Sequence, residues 1–242
     1  MNLLQLTEKL TAEVETLNFD GKVAAVYNPL RYAEKPHNEY LKRYGGGKKR
    51  VLFLGMNPGP WGMAQTGVPF GEIDAVQNWL GIREKVGKPQ REHPKRPIEG
   101  FECTKSEVSG RRLWGLFRER FESPEAFFRD HYVANYCPLV FMEESGKNLT
   151  PDKLPARESA ALYAVCDRYI AGLIELMRPE FLMGIGKFAA RRLSDIAADM
   201  PVELIRGCTI DSVLHPSPAN PAANRGWSEA AEKKLKAIGI WK

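Results

Sequence analysis

No stretch of this 242-residue chain approaches the ~20 apolar residues that a membrane-spanning helix needs. The start, Met1-Asn-Leu-Leu-Gln-Leu-Thr-Glu-Lys9, turns polar too early for the apolar region of a signal peptide. An intracellular protein is expected, in the cytoplasm or nucleoid of a bacterium or the nucleus of a eukaryote. Cysteine is scarce: Cys103, Cys137, Cys166 and Cys208, with no C-x-x-C pair. Four thiolates are enough for a zinc or iron–sulfur site, but this spacing predicts free thiols in a reducing compartment instead. His37, His93 and His131 stand in unrelated contexts without ligand spacing, so no metal site is expected. No H-E-x-x-H, G-x-S-x-G or G-x-x-x-x-G-K-[ST] occurs, and there is no internal repeat or low-complexity tract. Neither sign of charge dominates: 35 Lys and Arg face 30 Asp and Glu, a net charge of +5. That balance is compatible with a phosphate-bearing partner without demanding one. The length suits one domain spanning 1–242.

What is present alternates. Leu3, Leu6, Leu10, Val14 and Leu17 recur at helical spacing and predict an opening helix over 2–18. A polar connection over 27–49 leads to an apolar strand, Val51–Leu54. Asp74 is expected to cap a helix reaching Val86, and 87–105 is a basic, proline-rich excursion. Helices over 109–121 and 124–130 precede a strand over 132–135. A long helix over 155–177, a strand over 180–183, a helix over 187–198, a strand over 211–214 and a helix over 221–238 complete the chain. Strands separated by helices predict an α/β protein, a three-layer α/β/α sandwich around a mostly parallel four-stranded sheet.

Two loops differ in kind from the rest. Gly55 to Glu72 holds five glycines, three prolines and a single formal charge. A loop of that length without secondary structure is seldom retained unless it has a task. Asn57 and Gln65 supply amides, Phe70 an aromatic face, and the glycines permit close approach to a flat ligand. The second loop, His215-Pro-Ser-Pro-Ala-Asn-Pro-Ala-Ala-Asn-Arg-Gly-Trp227, carries Asn220 and Asn224, either able to cap a helix starting near Pro221 whose amides would grip a phosphate. In isolation His215 reads first as a core histidine bonded to backbone. Ligands of open α/β sheets bind at the carboxyl ends of the strands, so Asn57, Phe70 and His215 can converge on one pocket. Gly184-Ile-Gly186-Lys-Phe-Ala189 fits the dinucleotide pattern G-x-G-x-x-A with Glu203 near the ribose position, yet any tight strand-to-helix turn fits it too.

Taken together, these segments resemble the single-strand-selective monofunctional uracil-DNA glycosylases. Gly55 to Gly71 resembles the first motif of that family, and His215-Pro-Ser-Pro with Asn220-Pro and Asn224-Arg-Gly-Trp227 resembles the second. Ser109-Gly-Arg-Arg-Leu-Trp114, Asn135-Tyr-Cys-Pro-Leu139 and Asn148-Leu-Thr-Pro151 are also similar, so the likeness runs from about residue 50 to 240. The resemblance implies a hydrolase that flips a uracil nucleotide out of DNA and cleaves its glycosidic bond, needing no cofactor. It implies Asn57 and His215 as catalytic, and Met56, Gly59, Phe70 and Asn135 around the base. Ser217, Pro218, Ala219, Asn220, Asn224 and Arg225 are implied on the DNA.

The residue chemistry agrees with those roles. An amide such as Asn57 orients water but is no base, and a fixed His215 N–H suits a developing anion. The Asn135 amide offers one acceptor and one donor, matching uracil and mismatching cytosine. Neither loop contains a lysine for Schiff-base chemistry, Lys187 in the third strand-to-helix turn being the nearest. Two departures stand out: Trp61 where phenylalanine is common, and Ala219 where the vertebrate members carry arginine. The expected partner is DNA, single- or double-stranded, with no membrane and a monomeric protein. A non-enzymatic single-strand DNA binding module and a nucleotide-dependent α/β enzyme remain the competing readings.

Overall fold

Apolar residues recurring every three or four positions wind Leu3–Glu15 into α1, which buries Leu6, Leu10 and Val14. Asn2 opens it with a capping box, accepting from the Gln5 N–H while the Gln5 side chain accepts from its own. This computed structural model describes residues 1–242. A short strand β1 (Ala25–Tyr27) follows, then α2 (Pro29–Tyr32) and α3 (Glu34–Tyr44). The segment 27–49, expected to be an irregular polar connection, is therefore largely helical. Its polarity is one-sided: α3 buries Tyr40, Leu41 and Tyr44, and the two tyrosine hydroxyls donate to the carbonyls of Val133 and Leu80 at 2.8 Å.

Strand β2 (Val51–Gly55) is buried at every position. Beyond it come α4 (Met63–Thr66), α5 (Val108–Arg120), α6 (Pro124–Phe128) and strand β3 (His131–Asn135). Two short strands, β4 (Val140–Met142) and β5 (Asn148–Leu149), precede α7 (Ala156–Met177) and β6 (Phe181–Ile185). The chain ends through α8 (Lys187–Ala198), α9 (Val202–Ile205), β7 (Thr209–Val213) and α10 (Trp227–Ala237). Strands β3, β2, β6 and β7 lie in that order in a fully parallel sheet flanked by helices, as the alternation of elements predicts. The chain leaves β2 for β3 on one side and then crosses to β6 on the other. This reversal places a switch point at the carboxyl end of β2, where the loops diverge and leave a crevice.

Two further expectations are corrected, and one feature is unanticipated. The helix predicted from Asp74 to Val86 is only a π-type turn, Ala75–Trp79. Asp74 does not cap it but accepts from Asn78 and pairs with Arg118, and Glu72 accepts from the Ala75 N–H instead. Gly81, at φ 65°, reverses the chain there so that Leu80 and Ile82 both enter the core. The last helix starts at Trp227 rather than Pro221, because Gly226 at φ 121° interrupts any helical path. Finally, β1, β4 and β5 form a second, antiparallel sheet that the residue pattern does not predict. Strands of two or three residues carry too little periodicity to be read. All four cysteines are free, and no helix is long and apolar enough to cross a membrane.

Candidate active site

The site begins where β2 and β3 end together. Gly55 and Asn135 are register partners, and pairing continues beyond the strands: Tyr136 donates to the Gly55 carbonyl and Cys137 to that of Met56, each at 2.9 Å. The Asn135 side chain is buried. Its Nδ2 donates to the Met63 sulfur at 3.2 Å, while its Oδ1 is buried with no hydrogen-bond partner. Leaving a carbonyl oxygen in that state costs about 1–3 kcal/mol, so its presence calls for a donor that the protein does not supply. Gly55 is required beside it, because a Cβ there would collide with both Asn135 Oδ1 and the Phe70 ring.

Phe70 holds a backbone φ of 53°, a left-handed conformation that bulky residues seldom adopt. The turn around it is over-determined. Glu72 N–H donates to the Phe70 carbonyl at 2.7 Å, Gly71 N–H to Val68, and Trp114 Nε1 to the Pro69 carbonyl. The carbonyl of Phe70 also rests against Gly110 of α5, where any Cβ would strike it. Strain of this kind, about 1–3 kcal/mol, persists at sites where the side chain must face a ligand. The ring faces the cavity and lies 6.3 Å, centroid to centroid, from that of His215.

His215 follows β7. Its Nδ1 accepts from the Ser217 N–H at 3.1 Å, which leaves the ring proton of the neutral form on Nε2. Burial pushes its pKa down, so at neutral pH the ring is an uncharged donor. Gly186, at φ 95°, lies against it, and a Cβ there would stand 3.1 Å from that of His215. Gly184 is likewise needed for packing, with a Cβ position 2.6 Å from Ala190 Cα. The G-x-G-x-x-A pattern is thus accounted for by helix–strand contact and by space for the histidine.

The loop after His215 is built from its own side chains. Arg112 of α5 donates to the Pro216 carbonyl and to Asn224 Oδ1, both at 2.9 Å, and Asn224 donates to Pro218 at 2.8 Å. Asn220 donates to the His215 carbonyl and accepts from the Ala222 N–H. Asn220 and Asn224 therefore shape the loop. They do not cap a helix at Pro221, since none begins there. Pro218 and Ala219 are exposed at the tip, Arg225 is exposed farther on, and Ser217 lines the pocket.

Asn57, Met56, Gly59, Phe70, Asn135 and His215 all line one cavity of about 330 Å³. Asn57 Nδ2 makes long contacts to the carbonyls of Leu139 (3.4 Å) and Pro58 (3.5 Å), and Oδ1 is left to accept from a ligand or water. No lysine lines the cavity. Residue-level reasoning missed Glu107, Ser109, Asn148 and Thr150, which also line it. The last three lie in segments of family resemblance, but no rule of spacing marks them individually. Glu107 fills the space left by Gly59 and Gly62, and Trp61 N–H donates to its Oε2 at 3.4 Å. Burial pushes its carboxyl pKa up. No group of three or more His, Cys, Asp or Glu side chains converges as a metal site would require.

A family model described as the uracil DNA glycosylase superfamily matches residues 42–238. The chain is 47% identical over 232 residues to the single-strand selective monofunctional uracil-DNA glycosylase of Rattus norvegicus, covering 96% of this chain and 82% of that one. To the Bos taurus protein of the same name it is 46% identical over 237 residues, or 98% and 86% of the two chains. The crystal structure of wild-type Pedobacter heparinus SMUG2 matches at a TM-score of 0.65 with 19% identity, over 97% of each chain, a likeness of fold.

Proposed function

The chain belongs to the uracil-DNA glycosylase superfamily and is a DNA repair glycosylase, and we propose that this pocket takes a flipped uracil nucleotide and hydrolyses its N-glycosidic bond monofunctionally. The base lies against Phe70. Asn135 Oδ1 accepts from uracil N3–H, and the second Nδ2 proton donates to O4. Cytosine presents the reverse pattern and leaves the buried oxygen facing an acceptor. The unpartnered Asn135 Oδ1 is the observation that carries this reading. A non-enzymatic DNA-binding module would have no need of a buried acceptor beside an aromatic ring and a proton-bearing imidazole.

His215 Nε2–H points its dipole at uracil O2, where charge grows as the C1′–N1 bond breaks. A fixed donor of this kind contributes about 2.7–4 kcal/mol, a factor of roughly 10²–10³. The neutral ring suits that role, since its proton is held by the Ser217 contact rather than by pH. Asn57 Oδ1 holds the water. An amide cannot take its proton, so bond breaking runs ahead of attack and the sugar becomes cation-like. Water then closes on C1′ and releases its proton to solvent, leaving an abasic site. The absence of any lysine from the cavity fits hydrolysis rather than a Schiff-base lyase.

We further propose a monomer that works inside the cell on single strands and on weakly paired uracil in duplexes. Flipping is easiest where pairing is poor, and exposed Ala219 offers no side chain to fill a vacated stack. The test is single-turnover uracil release from a labelled single-stranded oligonucleotide. Wild type should release it and leave an intact abasic strand. His215→Ala and Asn57→Ala should each be slower by ~100-fold or more while remaining folded. Cleavage by either variant within a few-fold of wild type would remove these residues from the chemical step.

A further inference from the structure

The basic segment 87–105 takes no part in the chemistry above, yet hydrogen bonds tie it to the first loop and to β1. Buried Gln65 of the first loop commits its whole amide to this junction. Its Nε2 donates to the carbonyls of Pro60 and Pro97, both at 3.1 Å, and its Oε1 accepts from the N–H groups of Glu99 (2.8 Å) and Gly100 (3.1 Å). Tyr27 of β1 accepts from the His93 N–H at 2.6 Å and donates to the Arg96 carbonyl at 2.8 Å. The segment and the pocket wall at Pro60 are thus tied together.

At that junction stands Trp61, one residue beyond pocket-lining Pro60. The Arg96 guanidinium carbon lies 5.1 Å from its ring centroid and Lys105 Nζ 4.5 Å. Neither cation is in an ion pair, whereas Lys88 of the same segment pairs with Glu92 at 3.2 Å. Arg96 Nε is also buried with no hydrogen-bond partner. Both cations stand within about 5 Å of one indole ring, and a bound anion nearby would offset their like charge.

We propose that Trp61, Arg96 and Lys105 anchor the phosphate backbone of the DNA strand next to the flipped nucleotide, on the Pro60 side of the cavity. This rests on the glycosylase reading and adds a strand contact outside the second loop. A grip on one strand's phosphates needs no paired partner. It therefore holds a single strand in place where exposed Ala219 cannot brace a duplex.

The test compares wild type, the pair Arg96→Gln with Lys105→Gln, and the charge-keeping pair Arg96→Lys with Lys105→Arg. KM and kcat are measured on a uracil-containing single-stranded 15-mer, and anisotropy reads binding of the same strand with thymine in place of uracil. Losing two phosphate contacts should lower the slope of log affinity against log salt by about 1.4, because each contact contributes about 0.7 on single strands. KM should rise ~10-fold near 0.1 M salt with kcat little changed, and the charge-keeping pair should restore both affinity and slope. Equal melting temperatures establish that all three proteins are folded. An unchanged salt slope with unchanged KM, or charge-keeping variants as weak as the glutamine pair, overturns the anchor. A wild type that binds the strand but releases no uracil would instead defeat the glycosylase reading, and the thymine strand would still test the anchor.

Discussion

A single methyl group at Gly55 should disable the site. An alanine Cβ would stand 2.6 Å from Phe70 Cζ, and closer still to Phe70 Cε2 and Asn135 Oδ1. Carbon atoms in ordinary contact sit about 3.5–4.0 Å apart, so the ring or the amide must withdraw by about 1 Å. Neither has room. Asn135 is buried and bonded to Met63, and the Phe70 backbone is fixed in its left-handed turn against Gly110. A 1 Å misplacement of a substrate-positioning group costs about 10² in rate, equivalent to about 2.7 kcal/mol of barrier. Overpacking should lower stability by about 1–3 kcal/mol, which leaves a domain of this size folded at 25 °C. The assay is single-turnover release of uracil from a labelled single strand at saturating protein, with urea unfolding of the same samples. Gly115→Ala in α5 is the control, since its added methyl meets nothing within 4 Å. Folded Gly55→Ala protein cleaving within about fivefold of wild type would refute the argument that Gly55 makes room for the base-reading groups.

Three further outcomes are expected. Asn135→Asp presents only acceptors when ionised, so uracil release should fall and the cytosine-to-uracil ratio should rise ~10-fold or more; an unchanged ratio would transfer recognition to backbone groups. Burial pushes both His37 and His131 down to about 4. The unfolded chain takes up those protons near pH 6.5 and the folded one does not, so stability is full above 6.5 and falls as pH drops toward 4, by up to about 3 kcal/mol per histidine. Urea unfolding at pH 7 and pH 4.5 checks this, and His37→Gln should remove about half of the histidine contribution, leaving that of His131; a flat wild-type profile would contradict the burial. Ala219→Arg should raise cleavage of A·U pairs by ~10-fold and change single-strand cleavage much less, because a side chain filling the vacated stack offsets about 1–3 kcal/mol of flipping cost. Rates on single-strand, G·U and A·U substrates at one salt concentration decide it, and an arginine variant no faster on A·U would place the wedge elsewhere in the loop.

The local elements follow from chemistry that neighbours in sequence already contain. Val51–Leu54 is apolar at every position, so burial on both faces and membership of a parallel sheet are legible in the residues themselves. The helical spacing of α1, α7 and α8, and the glycine and proline content of the two loops, are legible in the same way. Position in space is not. The convergence of Asn57, Phe70, Asn135 and His215 depends on the strand order, which crosses β2 between β3 and β6 and brings separate loops to one crevice. Glu107 and Asn148 enter the cavity from the residue before α5 and from a two-residue strand, and no periodicity marks either position individually. The end effects at Gly81 and Gly226 turn on backbone angles that a residue name permits but does not choose. Sequence alone determined which residue types lie in each segment and whether that segment can bury a face. Only the tertiary structure decided which of those residues meet, because a buried amide oxygen without a partner is a property of everything packed around it.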